Sequence, residues 1–365
     1  MRRTLKIGIL GTRGIPNRYG GFEHCAEFLA LGLTARGHDV WVYNSDLHEF
    51  RGPIWNGVHI VHRHDPAKTL GTAGQFLYDL RCINDARRRN FDICLHLGYT
   101  SDSLWHRRWP RSARNIVNMD GLEWKRTKYG AGVRLFLKRA ERWAALNADV
   151  LIADSPAIQL RLAERYGRRA HHIPYAAPVF GAPDEKVLEA FGVRPFGYHM
   201  VMARLEPENH TGLIIRGCLA LRPETPLLVV GNTDTRYGGR LRRAFGAGTA
   251  IRFLGGIFDR TILDNLRYFS HLYFHGHSVG GTNPSLLEAM GCRALVAAHD
   301  NVFNRAVLEG DAFYFSNEAQ IADILRSIGP KSDHAGFLDR NEAKIRTLYA
   351  ERRILDLYEG VFLDG

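Results

Sequence analysis

The sequence predicts an α/β protein built as two Rossmann-like halves, each around a parallel sheet. Three observations predict it. Short apolar runs alternate with amphipathic helical patterns along the whole chain. Glycine-rich turns follow several of these runs at their carboxyl ends, where α/β folds place their ligands. The 365 residues exceed what one hydrophobic core usually serves, and no repeat of about 20 to 50 residues divides them otherwise.

The first half opens with Lys6-Ile7-Gly8-Ile9-Leu10, an apolar run that reads as a buried strand. A glycine-rich turn follows, then a helix over 21–35 with Phe22, Cys25, Leu29 and Leu33 on one face. Gly37 ends it as a C-terminal cap. A strand at 39–43 completes a β-α-β unit, the building block of a parallel sheet. Further strands are expected at 91–97, 115–119 and 150–153. The last runs into Ser155-Pro156, a cap followed by proline at the first helical position. That helix stops near Gly167, and a strand at 170–175 closes the half. Residues 176–185 hold Pro178, Gly181 and Pro183 and read as a linker.

The second half repeats the pattern, with strands expected at 199–203, 227–230, 251–254, 272–275 and 294–298. One charged amphipathic helix, over about 341–358, is expected to close the chain.

Composition narrows the function classes. Apolar residues make up 45% of the chain, which excludes a disordered protein. No apolar run approaches the roughly 20 residues that a membrane span needs. The amino-terminal run is interrupted by Gly11-Thr12-Arg13-Gly14 too early for a secretory signal, so a cytoplasmic protein is expected. The five cysteines form no C-x-x-C pair and read as reduced, structural residues. The net charge of +11 favours a polyanionic partner: phosphate groups, an anionic membrane surface or nucleic acid. Neither zinc-finger spacing nor an aromatic RNA-recognition signature is present, and no nucleic-acid partner is expected.

Four segments carry candidate chemistry. The first is the turn after the first strand, Gly11-Thr12-Arg13-Gly14-Ile15-Pro16-Asn17-Arg18-Tyr19-Gly20-Gly21. Its glycines let backbone N–H groups approach an anion, and Arg13 and Arg18 add charge. The spacing is neither G-x-G-x-x-G nor a P-loop, and a plain flexible turn is the structural alternative. The second is Asn118-Met119-Asp120-Gly121-Leu122-Glu123-Trp124-Lys125. Asp120 at a strand's carboxyl end can orient an acceptor hydroxyl or take its proton, with a helix cap as the alternative. The third is Ala203-Arg204-Leu205-Glu206-Pro207-Glu208-Asn209-His210, where Arg204 can bind a diphosphate or simply decorate a capping loop.

The fourth is the most specific, His275-Gly276-His277-Ser278-Val279-Gly280-Gly281-Thr282-Asn283-Pro284-Ser285-Leu286-Leu287-Glu288-Ala289-Met290. Asn283 can cap a helix that Pro284 begins, leaving free N–H groups suited to phosphate. Glu288, one turn in, can accept hydrogen bonds from ribose hydroxyls, or be an ordinary solvated residue. His275 and His277 could share a strand face, but no third ligand at helpful spacing supports zinc. No Asp-x-Asp occurs, which argues against a metal-bridged donor site. Finally, residues 124–143 are basic and aromatic, with Lys125, Arg126, Lys128, Arg134, Lys138, Arg139 and Arg142 against Glu141 alone. Leu135, Phe136 and Ala140 could form an apolar stripe. Such a segment could rest on an anionic bilayer or cover one side of the sheet.

At these residues the chain resembles glycosyltransferase family 4, a GT-B family whose donor domain carries E-A-M-[AG], here Glu288-Ala289-Met290-Gly291. The loop 11–21 and Asp120-Gly121-Leu122-Glu123-Trp124-Lys125 resemble a bacterial rhamnosyltransferase-like subgroup of polysaccharide assembly. The resemblance spans nearly the whole chain and implies an acceptor domain over 1–175, a donor domain over 176–345 and a last helix, about 346–365, packed back on the first. It implies sugar transfer, with retention and without metal or cofactor, from a dTDP-, UDP- or GDP-linked donor to a saccharide acceptor, expected to be lipid-linked. Rhamnose is the expected sugar, and a peripheral place at the inner membrane face goes with it.

In this implied site Asp120, Arg204 and Glu288 are catalytic. The donor is held by Gly20, Gly21, Arg204, Asn209, Gly231 and Asn232. Gly255, His277, Gly280, Gly281, Thr282, Asn283 and Glu288 complete its contacts. Arg13, Arg18, Tyr19, Glu123, Trp124 and Lys125 meet the acceptor. Three departures from the family stand out. Gly280 occupies the place of a first glutamate, Asn209 that of a lysine, and Met119 that of a histidine beside Asp120. Arg204 and the backbone of 281–283 must then carry more of the diphosphate. A sugar-nucleotide epimerase or phosphorylase on the same fold is the alternative enzyme, and a non-catalytic nucleotide-sugar-binding protein the alternative class.

Overall fold

The computed structural model describes residues 3–17, 20–221 and 225–364, so the expectations at Arg18 and Tyr19 lie outside the described residues. The chain forms two compact units. The first takes the residues up to Trp124, then Tyr129–Pro174, then the chain from Ile354 onward; the second takes Lys125–Lys128 and Tyr175–Arg353.

The first unit is built on β1 (Lys6–Leu10), β2 (Asp39–Ser45), β3 (Ile54–Trp55), β4 (Val58–Arg63), β5 (Ile93–Leu97), β6 (Arg114–Asn118), β7 (Val150–Ala153) and β8 (Ala170–His172). They lie in the order β3-β4-β2-β1-β5-β6-β7-β8, parallel except for the β3–β4 hairpin. Ile7, Ile9, Val42, Leu95, Ile116 and Leu151 are fully buried, as expected for strands covered on both faces. Its helices are α1 (Gly21–Ala35), α2 (Ala67–Leu70), α3 (Gly74–Ala86), α4 (Ala131–Asn147) and α5 (Pro156–Tyr166). Ser155 caps α5 by accepting from the Ile158 N–H, and Gly167 ends it in the left-handed conformation, as its sequence predicts.

The second unit holds β9 (His199–Met202), β10 (Leu227–Val230), β11 (Ile251–Gly255), β12 (Leu272–His275), β13 (Val296–His299) and β14 (Phe313–Phe315). All are parallel, in the order β11-β10-β9-β12-β13-β14. Around them lie α6 (Thr211–Leu219), α7 (Arg236–Phe245), α8 (Arg260–Tyr268), α9 (Pro284–Gly291), α10 (Val302–Leu308), α11 (Glu318–Ser327) and α12 (Ala335–Thr347). Val201, Val229, Phe274, Ala297 and Phe315 join Ile214, Ile215 and Ile321 in one core.

Both sheets wind outward in two directions from a central pair, β1 with β5 and β9 with β12. At such a switch point the loops leave the sheet on opposite sides and open a crevice beyond the carboxyl ends. The first switch point is bordered by the glycine turn after β1, the second by the Arg204 loop after β9 and the glycine loop after β12.

Two expectations need correction, and one element was not expected. The single closing helix is two, α12 and α13 (Glu351–Leu363). Leu338 and Ile345 are buried in the second unit, whereas Ile354, Tyr358 and Phe362 are buried in the first. The chain breaks at Tyr349, whose carbonyl accepts the Ala177 N–H. Helix α13 is fastened in the first unit by Tyr358, which is 3.0 Å from the Asn118 amide, and by Glu359, 3.1 Å from the His38 ring. The hairpin β3–β4 was not anticipated, although Asn56-Gly57 between its strands takes positive φ at both residues, 46° and 84°. The helical stretch within 124–143 starts only at Ala131, and its stripe divides: Leu135 is 53% exposed while Ala140 is buried.

Candidate functional site

At the second switch point β9 ends and the chain turns through Ala203-Arg204. The Arg204 side chain is exposed. Its carbonyl accepts from the Glu206 N–H and, at 2.7 Å, from the buried Asn209 amide. Asn209 therefore shapes the Arg204 turn from within. Beside it, a Cβ on Gly276 would lie 2.1 Å from the Asn209 carbonyl oxygen, so the close approach of the two loops requires glycine. His210, in the left-handed conformation, donates from Nδ1 to the Gly276 carbonyl at 2.8 Å.

The glycine loop is held at several points. The Ser278 N–H and hydroxyl both donate to the Glu208 carbonyl, at 3.2 and 2.9 Å. The His277 carbonyl accepts from the Asn301 and Asn304 amides, at 3.1 and 3.0 Å. Gly280 has φ of +133°, which side-chain-bearing residues rarely adopt. Gly281 is half-buried and Thr282 buried. Asn283 then caps α9, its Oδ1 accepting from the Ser285 N–H at 3.0 Å and hydroxyl at 2.8 Å, and Pro284 takes the first helical position.

Glu288 follows one turn into α9, and its partner was not foreseen. Its Oε2 is bonded to the guanidinium of Arg267, from α8. Arg267 is 1% exposed and also donates to Asp264 at 2.8 Å and touches the Met202 sulfur at 3.3 Å. Burial opposes its charge, and Glu288 opposite more than restores it, leaving its pKa above the ordinary value. Arg267 thus ties the end of β9 to α9. The only sequence signal was a charged residue in an otherwise core-facing position of α8.

Four histidines gather at the same end of the sheet. His275 and His277 stack with ring centres 4.5 Å apart, and His210 and His299 at 4.1 Å. Burial pushes His277 down to about 3, assisted by Arg204, Arg126 and His210. Burial and His210 bring His299 to about 4. Neutral imidazoles are therefore present at pH 7. Among the described residues no group of three His, Cys, Asp or Glu is arranged to hold a metal ion.

Arg126 enters here from the short segment Lys125–Lys128, which belongs with the second unit. Its guanidinium is 3.9 Å from Glu208, whose other oxygen accepts the Thr127 hydroxyl at 2.7 Å. Lys125, expected to meet the acceptor, is in this segment too. Of the other residues assigned to the donor, Gly231 is required by packing: a Cβ would lie 2.2 Å from the Ala203 carbonyl oxygen. Its N–H donates to Gly255 at 2.8 Å. Asn232 is exposed and turns the chain by accepting from the Asp234 N–H.

In the first unit the glycine turn is already largely satisfied. The Arg13 N–H donates to Glu23, the Gly14 N–H to the Thr12 hydroxyl, the Ile15 N–H to Asn44 and the Asn17 N–H to Glu27. A carboxylate thus occupies the mouth of α1, where an anion was imagined. Gly20 and Gly21 are exposed at its start, and Arg13 is exposed. Asp120 follows β6 with φ of 40°, in the left-handed region and unlike the extended N-caps Ser155 and Asn283, and its N–H donates to Asn118 at 3.1 Å. Glu123 is fixed through its N–H by the Tyr99 hydroxyl at 3.3 Å. Trp124 donates at 2.7 Å to Glu141, a buried carboxylate that also holds Arg161 and Tyr166.

The comparisons agree with this architecture. A profile of a domain of unknown function, DUF1972, matches residues 110–178. A search of curated proteins found no match. Sucrose-phosphate synthase from Thermosynechococcus elongatus is 15% identical, with a TM-score of 0.80 over 100% of both chains. HepE from Anabaena in complex with UDP and glucose is 16% identical, with a TM-score of 0.75 over 99% of this chain and 100% of that one. A glycosyltransferase from Rickettsia africae is 12% identical, with a TM-score of 0.71 over 99% and 98%. At these identities the likeness speaks for the fold: the chain has the two parallel-sheet units of GT-B glycosyltransferases.

Proposed function

We propose that the protein is a glycosyltransferase that moves a sugar from a nucleoside diphosphate to a saccharide acceptor. One observation carries this reading. The second switch point presents an exposed arginine, a helix amino terminus and a carboxylate held by Arg267 through one of its oxygens. These three suit a diphosphate, its partial charge and a sugar hydroxyl in turn. HepE, of the same fold, has been solved with UDP-glucose, which supports a nucleotide sugar as the ligand of this fold.

In this reading Arg204 and the backbone of 281–283 stabilise the negative charge that grows on the departing diphosphate, since the first N–H groups of α9, those of Ser285, Leu286 and Leu287, are already bonded to Asn283. Glu288 accepts from a ribose hydroxyl, and Asp120 orients the acceptor hydroxyl. The finer reading is a retaining, metal-independent rhamnosyltransferase of the family 4 subgroup, acting on a lipid-linked acceptor in bacterial surface polysaccharide assembly. The sequence motifs at 11–21, 120–125 and 288–291 support it. A thermal-shift panel of dTDP-rhamnose, UDP-glucose and GDP-mannose tests the donor. Saturation at about 100 times Kd adds about 2.7 kcal/mol to stability, so the true donor stands out. No shift with any of them overturns the reading. Labelled donor with a lipid-linked saccharide should then give a new glycosidic bond. An epimer or a sugar phosphate identifies the alternative enzymes. Binding without turnover supports a nucleotide-sugar sensor, a reading favoured by the missing carboxylate at Gly280.

A further inference from the structure

The strands of the second unit are all parallel, so their amino ends share one edge, opposite to the proposed donor site. Phe196 precedes β9, Tyr268 and Phe269 precede β12, and Arg293 precedes β13 at this edge. Against them lies the 3-10 turn Lys331–His334, which follows α11. The rings are packed together. Phe196 and Tyr268 lie 6.0 and 4.9 Å from Phe269, and Phe180 meets Tyr268 at 5.9 Å. Phe196 takes the left-handed conformation, φ 57°, and its N–H donates to the Phe269 carbonyl at 2.8 Å.

Lys331 places its amine in this aromatic surrounding. The residue is 9% exposed, and its Nζ is 5.4 Å from the centre of the Phe196 ring and 5.6 Å from that of Tyr268. The amine donates to the Tyr268 carbonyl at 2.6 Å, and among the described residues no carboxylate is paired with it. Arg293, whose charge opposes that of Lys331, is itself paired with Asp339 and Glu342 at 2.6 and 2.5 Å.

One carbonyl and two ring faces replace only part of the hydration that an ammonium loses on burial, whereas a neutral amine loses far less. Burial, with Arg293 adding to it, accordingly pulls Lys331 down to about 7. The amine is nevertheless one ring from solvent, because Phe196 is 47% exposed.

We propose that Lys331 is a nucleophilic amine and a site of acylation by small acyl phosphates. The unshared pair of the neutral amine attacks the acyl carbon. The C–N bond forms as the C–O bond to phosphate breaks, inorganic phosphate leaves, and the surplus proton on nitrogen passes to it or to water. No ion pair has to be broken. The amide formed is uncharged and keeps one N–H, which suffices for the Tyr268 carbonyl. It also stays uncharged below pH 7, where the free amine takes up a proton. No donor-site residue takes part, so the site stands or falls independently of the proposed transfer activity.

Acetyl phosphate is the probe, applied to the full chain from pH 6 to 9, with digestion and mass spectrometry reading acetylation at each lysine. At pH 7 an amine titrating at about 7 is about half unprotonated, against roughly one part in 2,500 for an ordinary lysine. Lower basicity and restricted approach offset part of this advantage. Lys331 should still react at least about tenfold faster than the exposed Lys68 and Lys186. Its rate should level off above about pH 8, while theirs climb about tenfold per pH unit. In guanidinium chloride, which unfolds the chain, the difference should vanish. Acetylation of Lys331 no faster than that of Lys68 and Lys186 overturns the proposal, as does a rate that climbs with pH in parallel with theirs. An advantage that survives unfolding lies in the local sequence rather than in the fold and equally overturns it.

Discussion

Replacing Arg267 by methionine removes the charge between Asp264 and Glu288 while nearly keeping the volume. The Arg267 side chain is 1% exposed, against 11% for Asp264 and 25% for Glu288. Deleting one member of a buried ion pair typically costs about 3–5 kcal/mol, because the remaining charge is stranded. Two features put this case at the low end. Asp264 keeps Arg260 at 3.5 Å, and Glu288 can regain water on its exposed side. A loss of about 3 kcal/mol is expected, or about 6–12 °C in the transition of the second unit, at roughly 2–4 °C per kcal/mol. Calorimetry at pH 7 measures it. Glu288→Gln and the double variant complete a cycle. The pair is in contact, so the double variant should be less destabilised than the sum, by about 1–2 kcal/mol. Titration with the donor nucleotide adds a functional arm: Arg267→Met should weaken binding about tenfold, since Glu288 loses its fixed orientation, a step of about 1.4 kcal/mol. Wild-type melting in Arg267→Met, or strictly additive effects in the cycle, would refute the argument.

Arg204→Ala should lower kcat by about 10²–10³, the usual loss of one donor to a developing oxyanion. Its melting temperature should not change, because the side chain is exposed; steady-state kinetics with unchanged kcat would remove Arg204 from the reaction. Gly276→Ala should destabilise by about 1–3 kcal/mol, since its methyl would sit 2.1 Å from the Asn209 carbonyl oxygen; chemical denaturation reads the change. The histidine cluster should make the second unit acid-sensitive. His277 and His299 titrate near 3 and 4 when folded, against an ordinary 6.5. The unfolded chain therefore binds more protons below pH 6.5, and stability falls as pH drops from there toward 3 to 4. At pH 5 each can take away at most about 2 kcal/mol, less for half-buried His299. Melting curves from pH 7 to 5 should show this fall, and His277→Asn should flatten it; an unchanged slope would contradict the assignment.

The sheets were legible because their strands are continuous apolar runs. Val150–Ala153, Leu227–Val230 and Leu272–His275 begin and end where the sequence predicts. Helices were legible where chemistry punctuates them, as with Ser155-Pro156 and Asn283-Pro284. The β3–β4 hairpin carries an equally good signal in Asn56-Gly57 but little apolar alternation, since Ile54 is 54% exposed. Long-range pairing was not legible at all. Arg267 lies 21 residues from Glu288 with a strand between them, and only the packing of α8 against α9 brings the charges together. The same holds for Glu208, which meets Arg126 and, across 81 positions, accepts the Thr127 hydroxyl. Glycines misled in a different way. Gly231 is expected to contact the donor, yet it, like Gly276, is dictated by a carbonyl oxygen about one bond length too close for a side chain.

Gly280 is the reverse case, and it bears on how the site can hold a diphosphate. A Cβ built there meets nothing within 4 Å, so space does not demand glycine; the backbone does, with φ of +133°. That path is pinned on both sides, by Ser278 on the Glu208 carbonyl and by Asn283 capping α9. A carboxylate at this position would require another course for the loop, not merely another side chain. The carboxyl end of the second sheet is therefore left with Glu288 as the carboxylate of α9, and Arg267 offsets its charge. Arg204 and Arg126 add to burial in depressing the His277 imidazole, with Glu208 3.9 Å from Arg126. A site so arranged attracts a dianionic leaving group more strongly than one carrying two unpaired glutamates, because each removed negative charge at a few ångströms lifts the local potential. In the proposed donor site, glycine at 280 and the buried arginine behind Glu288 act in the same direction, and both would favour a phosphate.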